Sequence, residues 1–331
     1  MRTSATISAV ATTLLLVVCG ISVLTDKSGY GEWEITTNSH ETSKIVWAPF
    51  EWVSDSLGGK YVEKTAMDIP CTIEGLPNVF TFQFDLGADM TGVYENTVGA
   101  LAEVNTVAKE KLKRLKSPLE FWNSRKYIDN IRLHFGGYTA RNTTGFVYPK
   151  YGEHIEKPDA GDTIHIGTIG SDFFKNTVLL IDYPNSRFAI CDHVPNEYNH
   201  DLIDAEFDPD GRVILPMKLH GKSLRIMFDN GSSIFPLITQ AKNISTFSTS
   251  PDIDTITISS WGTSHAVTGK LMNDTFELAG LRCSNVKVYA NHSGLGIDKH
   301  TDATAGNYLF LNKTVIIDYK HKKFGVHENP R

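Results

Sequence analysis

Two carboxylates stand out by their setting. TFQFDLGADMTGVYENTV (81–98) and RIMFDNGSSIFPLIT (225–239) each run an apolar strand into Phe-Asp-x-Gly-small. Asp85 and Asp229 therefore end strands, followed by Gly87 and Ala88 in one case and by Gly231 and Ser232 in the other. A glycine two residues after a carboxylate permits a tight turn whose backbone N–H groups approach the side chain closely. One carboxylate buried at such a turn is a liability. Two brought together can share a proton, because like charges in contact do not both ionise easily. One then acts as base and the other as acid. Such a pair can draw a proton from water and protonate a leaving amine, with no metal, nucleophilic side chain or cofactor.

The elements that must position these residues repeat as well. GSDFFKNTVLLIDYPNSRFAI (170–190) is similar to GNYLFLNKTVIIDYKHKKFGV (306–326). In both, a glycine precedes an aspartate by twelve residues, Gly170 with Asp182 and Gly306 with Asp318, and both continue as Asp-Tyr, a polar turn and Phe-x-apolar. The two elements recur in the same order, 85 residues apart in the first half and 77 in the second. Repeats in register argue for a duplicated lobe. The expected fold is mainly β, with two pseudo-symmetric barrel-like lobes and a few short helices. The lobes are expected at 60–195 and 205–331, behind a spacer at 26–59 that includes an edge segment. The boundary near 192–208 is polar, contains Pro195 with Pro209 just after it, and lacks periodicity. Strands are expected at 79–84, 178–183, 224–228, 254–258, 286–290 and 314–319, from runs of Val, Ile, Phe and Tyr bounded by turn residues. Val98, Leu101, Val104, Ala108, Leu112 and Leu115 follow helical spacing. The basic end of that stretch, KEKLKRLK (109–116), reads as a solvated helix face with cations near its C-terminus, or as an attachment to an acidic surface.

The paired Asp-x-Gly turns and the Gly170/Asp182 and Gly306/Asp318 elements resemble the pepsin and retropepsin superfamily of aspartic peptidases. The resemblance extends over about Lys60 to Val326. It implies a catalytic dyad of Asp85 and Asp229 that hydrolyses peptide bonds with activated water, and a strand in each lobe that braces the catalytic turn. In the first lobe that brace is Ile164-His165-Ile166-Gly167 or Thr168-Ile169-Gly170. ISSWGTSHAVTGKLMNDTFELAGL (258–281) is similar to the family's flap hairpin through Trp261, Gly262 and Thr263, and LHFGGYTARNTTGFVY (133–148), with Tyr138, is its first-lobe candidate. The substrate-binding residues that the resemblance implies are Gly87, Ala88, Gly231, Ser232, Tyr138, Trp261, Gly262 and Thr263. The family carries Thr after each catalytic aspartate, where its hydroxyl ties the two turns together; here Leu86 and Asn230 stand in its place. Ser232 can orient the Asp229 carboxylate, whereas Ala88 has no hydroxyl for Asp85. These departures imply a looser dyad, and they keep a second reading open: a catalytically silent pepsin-like domain that binds peptides or a protein.

The rest of the chain sets outer limits. Its net charge of −6 lacks the basic excess of a nucleic-acid binder. There is no HExxH, Walker A or GxSxG pattern. Cys191, Asp192, His193 and His200 cluster loosely, but in the expected linker they read as solvated polar residues, so no metal or other cofactor is implied. Ile7 to Leu24 is an uncharged apolar run at residues 1–25, with Arg2 before it and Asp26 and Lys27 after. It reads as a cleaved signal or an uncleaved membrane anchor, and either places the body of the protein outside the cytoplasm. Cys71, Cys191 and Cys283 are too few for a disulfide framework, with Cys71 and Cys191 placed to pair or to stay free. The expected partners are a peptide or protein substrate and, through the N-terminal run, a membrane.

Overall fold

Runs of β-branched and aromatic residues become strands where the sequence places them: Val79–Phe84, Val178–Asp182, Lys222–Phe228, Asp252–Ser260, Val286–Asn291 and Lys313–Asp318. The structure, a computed structural model, describes residues 29–38, 44–57, 59–114, 125–156, 161–200, 202–260, 263–293 and 300–328. Within them the chain is mainly β, with a few short helices and curled sheets of nine, six and ten strands.

Two parallel strand pairs position the aspartates. Val79–Phe84 in the nine-stranded sheet lies beside Thr163–Ile169, with Phe84 opposite Ile169. Lys222–Phe228 in the ten-stranded sheet lies beside Ala303–Ala305, with Phe228 opposite Ala305. The six-stranded sheet joins early and late parts of the chain: Val178–Asp182 and Lys313–Asp318 run antiparallel at its middle, with Leu180 opposite Ile316. The nine-stranded sheet curls until its path closes, because Tyr138–Tyr148 pairs with Lys126–Phe135 as well as with Gly92–Tyr94.

One apolar core runs beneath these sheets. Its rings meet in two sets. Phe84 packs at 5.7 Å from Phe174 and 5.4 Å from Phe188; Phe228 packs at 5.3 Å from Phe310 and 5.4 Å from Phe324. All six side chains are fully buried, each removing some 150–250 Å² of surface from water.

Some expectations change. The helical stretch is two helices, Glu95–Val104 and Thr106–Lys111, followed by a strand at Leu112–Arg114. Asn105 breaks it: its backbone is extended (φ −124°, ψ 121°), and its side chain accepts from Ala108 N, capping the second helix. Leu115 lies outside the described residues. Cys71 and Cys191 do not pair; both are free, Cys71 opposite Phe80 in one sheet and Cys191 opposite Val178 in another. The spacer supplies more order than a linker would, with edge strands at Glu34–Thr37 and Trp47–Pro49. Among the described residues no helix is long and apolar enough to cross a membrane; the apolar run at 7–24 lies outside them.

Gly170 and Gly306 each follow a bracing strand with nearly the same backbone, φ −96° and ψ −176° against φ −95° and ψ −170°. A Cβ would lie 2.7 Å from Ala88 O at the first and 1.9 Å from Ser232 O at the second. Gly99, inside the first helix, faces open space. Gly306→Ala should therefore destabilise the protein by about 3 kcal/mol or more, because the obstacle is backbone. Gly99→Ala should stabilise it by about 0.5–1 kcal/mol. Denaturant titration of the two variants checks both signs.

Candidate active site

The strand ends carry the two aspartates into turns with closely matching hydrogen bonds. Asp85 N donates to Ile169 O and Asp229 N to Ala305 O, both at 3.0 Å, so each bracing strand fixes the residue that begins a turn. Each turn closes on itself, Ala88 N to Asp85 O at 3.1 Å and Ser232 N to Asp229 O at 3.2 Å. The side chains then fold back over their own turns. Asp85 Oδ1 accepts from Gly87 N at 3.0 Å and Ala88 N at 3.2 Å; Asp229 Oδ1 accepts from Gly231 N at 2.9 Å. Ser232 Oγ donates to Asp229 Oδ2 at 2.8 Å. The brace in the first half is Thr168-Ile169-Gly170, with Gly170 N donating to Thr91 Oγ1 at 2.9 Å.

The structure brings Asp85 and Asp229 into contact. Both are fully buried, and the Asp229 carboxyl lies close enough to Asp85 to act on its titration. Two like charges at such close quarters do not both ionise easily, so the arrangement favours one acid beside one carboxylate. Gly231 makes the approach possible: a Cβ there would stand 2.4 Å from Asp85 Oδ1 and 3.1 Å from Asp229 Oδ1. Burial pushes the Asp85 carboxyl well above the usual carboxylate range, the Asp229 charge and hydrogen bond raise it further, and the N–H groups of Gly87 and Ala88 oppose the shift. Asp85 Oδ2 is buried without a partner in the protein. Its turn offers it no hydroxyl, since Ala88 stands where Ser232 stands in the other.

Asn230 accounts for a connection that the sequence put in doubt. Its Oδ1 accepts from Leu86 N at 2.5 Å, joining the two turns across 144 residues of chain. Leu86 itself contributes only apolar packing to the core. The tie is thus made from one side, and Asn230 Nδ2 is left buried without a partner. A second tie was not foreseen. Asn307 Nδ2 donates to Asn230 O at 2.8 Å and Ser233 Oγ at 2.9 Å, while Asn307 Oδ1 accepts from Tyr183 OH at 2.6 Å. Tyr183 directly follows Val178–Asp182, so the six-stranded sheet is bonded to the second turn. Asn307 and Tyr183 both lie in the repeated segments, but nothing in the repeat assigned them a bond. Tyr94 was also missed: it is buried near Asp85, its hydroxyl 2.6 Å from Thr168 Oγ1.

The expected flap residues fare differently. Tyr138 is 1 % exposed, with its hydroxyl bonded to Val46 O and to Ile190 N and O. Its hairpin forms as expected, but the tip docks onto the six-stranded sheet, where Cβ atoms at Gly136 and Gly137 would meet Ala48 and Val46. Tyr138 is therefore a packing residue there. The second hairpin, Asp252–Ser260 with Thr263–Met272, is present. Thr263 is exposed at its end, and Trp261 and Gly262 lie outside the described residues. Gly87, Ala88, Gly231 and Ser232 all belong to the two turns.

Thr81, His165 and Asp68 form a Thr/His/Asp group, with Thr81 Oγ1 at 3.1 Å and Asp68 Oδ2 at 3.3 Å from the same nitrogen, His165 Nδ1. A nucleophile–base–orienter relay needs both ring nitrogens, so this is not a triad. Among the described residues no group of three His, Cys, Asp or Glu side chains is placed to hold a metal ion.

The chain matches no protein-family model and no curated protein.

Asp85 titrates above its ordinary value, so folding is favoured while it holds its proton and loses that contribution as pH rises through the raised value. Wild type should therefore be less stable at pH 7 than at pH 4.5 by this contribution. Asp85→Asn, which needs no proton, should flatten the difference in thermal unfolding between the two pH values. An unchanged pH slope in the variant would show that Asp85 is not the buried acid.

Proposed function

We propose that this protein is an aspartic-type endopeptidase of two pepsin-like lobes, in which Asp85 and Asp229 activate a water molecule against a peptide bond. The observation that carries the reading is the close approach of two fully buried carboxyls on matching turns. A proton-sharing pair suits this reaction because one member takes a proton from water while the other gives one to the substrate.

The two-lobe reading draws support from correspondences 136 residues apart. Phe174, Phe188 and Gly170 recur as Phe310, Phe324 and Gly306, with the same packing around Phe84 and Phe228. At the middle of the six-stranded sheet, Val178 faces Asp318 and Asp182 faces Thr314, a register that an exchange of the two halves would leave unchanged. Under this reading the second hairpin is a lid over the substrate, and residues 1–25 export or anchor a body that works outside the cytoplasm.

The test is cleavage of an unbiased peptide mixture from pH 3 to pH 7. Wild type should cleave with an upper pH limit set by loss of the shared proton. Asp85→Asn and Asp229→Asn should each lower turnover at least about a hundredfold, the scale of a lost acid or base. Asn230→Ala should cost about 1–3 kcal/mol of stability, because Leu86 N–H loses its buried acceptor, and it should lower turnover through a misplaced pair. Peptide binding without cleavage in wild type would instead favour the silent binding domain.

A further inference from the structure

One titratable side chain that the aspartate chemistry does not use lies in the second hairpin. His265 is 5 % exposed, and its Nε2 is buried with no hydrogen-bond partner. It sits opposite Ile258 and shares a strand face with Val267, two residues away. Ile258 and Val267 pack with Phe235, Ile238 and Tyr289 in a small apolar cluster. Phe235 belongs to the aspartate machinery: its N donates to Ser232 O and its O accepts from Gly306 N, both at 3.1 Å. This cluster fastens the hairpin beside the turn that carries Asp229, and His265 lies next to the fastening on the side toward the hairpin's tip.

We propose that His265 is a pH-operated latch: the neutral imidazole lets the hairpin pack down, and protonation releases it. A protonated imidazole carries a charge and two N–H donors, and the packed position gives Nε2 no acceptor. Burial pushes its pKa down, and no carboxylate contributes in the other direction. The charged and titratable groups around the cluster are engaged elsewhere. Tyr289 OH lies 3.4 Å from Asp254 Oδ2, which Lys287 Nζ holds at 2.7 Å. Asp254 faces Gly269, four residues farther from the tip than His265. Lys270 pairs with Asp252, and His292 Nε2 lies 2.8 Å from Thr268 Oγ1. The other members, Phe235, Ile238, Ile234 and Ile256, are apolar.

The sign follows from linkage. A free imidazole titrates near about 6.5; in the packed hairpin it titrates lower, so the released form binds the proton more tightly. Packing is at full strength above about pH 6.5 and weakens as pH falls, by up to about tenfold per pH unit. Release stands on this packing alone. Its consequence, that acid uncovers the aspartates under conditions suited to a shared proton, rests on the peptidase reading.

Hydrogen–deuterium exchange tests the latch without reference to turnover, so its failure and the failure of the peptidase reading are separate results. After correction for intrinsic exchange, amides of 254–258 and 263–269 in wild type should lose about tenfold or more of their protection between pH 7 and pH 5. Amides of Val79–Phe84 should not. His265→Leu should give a flat profile, and His265→Gln supplies the same comparison should the leucine variant misfold. A flat profile in wild type, or a slope that persists in a folded variant, overturns the proposal.

Discussion

The close approach of the Asp85 and Asp229 carboxyls, both fully buried, is the constraint on which the rest of the site depends. Two carboxylates at this depth would repel one another without water to screen them, and the groups that act on Asp85 include no cation to relieve the charge. One proton removes half the charge and turns repulsion into a hydrogen bond. The remaining charge is spread over backbone N–H groups and the Ser232 hydroxyl, donors fixed in place by the turns. The turns therefore have to be rigid, and much of the surrounding structure serves that end. Ile169 and Ala305 hold the first residue of each turn, Gly170 and Gly306 let the bracing strands pass close beneath, and Gly231 leaves room for the opposite carboxyl.

Rigidity within each turn does not by itself align one with the other. Alignment comes from bonds that cross between them. Asn230 Oδ1 to Leu86 N is direct; Tyr183 to Asn307 to Asn230 O is indirect and runs through the six-stranded sheet. The indirect route matters because Val178–Asp182 and Lys313–Asp318 are joined by a full antiparallel ladder. Bonding the second turn to residues at the end of that ladder gives the turn the stiffness of a sheet, where a single side-chain bond would leave a hinge.

Much of this was legible in the sequence because it rests on short-range chemistry. Asp-x-Gly turns, strands of Val, Ile and Phe, and the twelve-residue spacing from Gly170 to Asp182 and from Gly306 to Asp318 are all written in consecutive residues. What was not legible depends on three-dimensional context. Asn230 looked like the loss of a hydroxyl, since the distance that makes its carbonyl oxygen useful is set by two turns 144 residues apart. Tyr138 beside two glycines looked like an exposed hairpin tip. Nothing local to it said that Val46 and Ile190 would come to meet its hydroxyl. The helical spacing from Val98 to Leu115 holds only to Lys111, because Asn105 caps the second helix instead of continuing the first.

The two turns are alike in backbone and unlike in side chains. Asp229 has Ser232 on its second oxygen, Asn230 beside it reaching across, and Asn307 bonded behind it. Asp85 has Leu86 and Ala88, whose side chains carry no polar group, and an Oδ2 with no partner in the protein, while its Oδ1 accepts from Gly87 N and Ala88 N. Each carboxyl therefore accepts two donors, but Asp229 takes one on each oxygen while Asp85 takes both on Oδ1. The asymmetry thus keeps the number of donors equal and changes where on each carboxyl they fall, one oxygen of Asp85 being left bare where both of Asp229 are held.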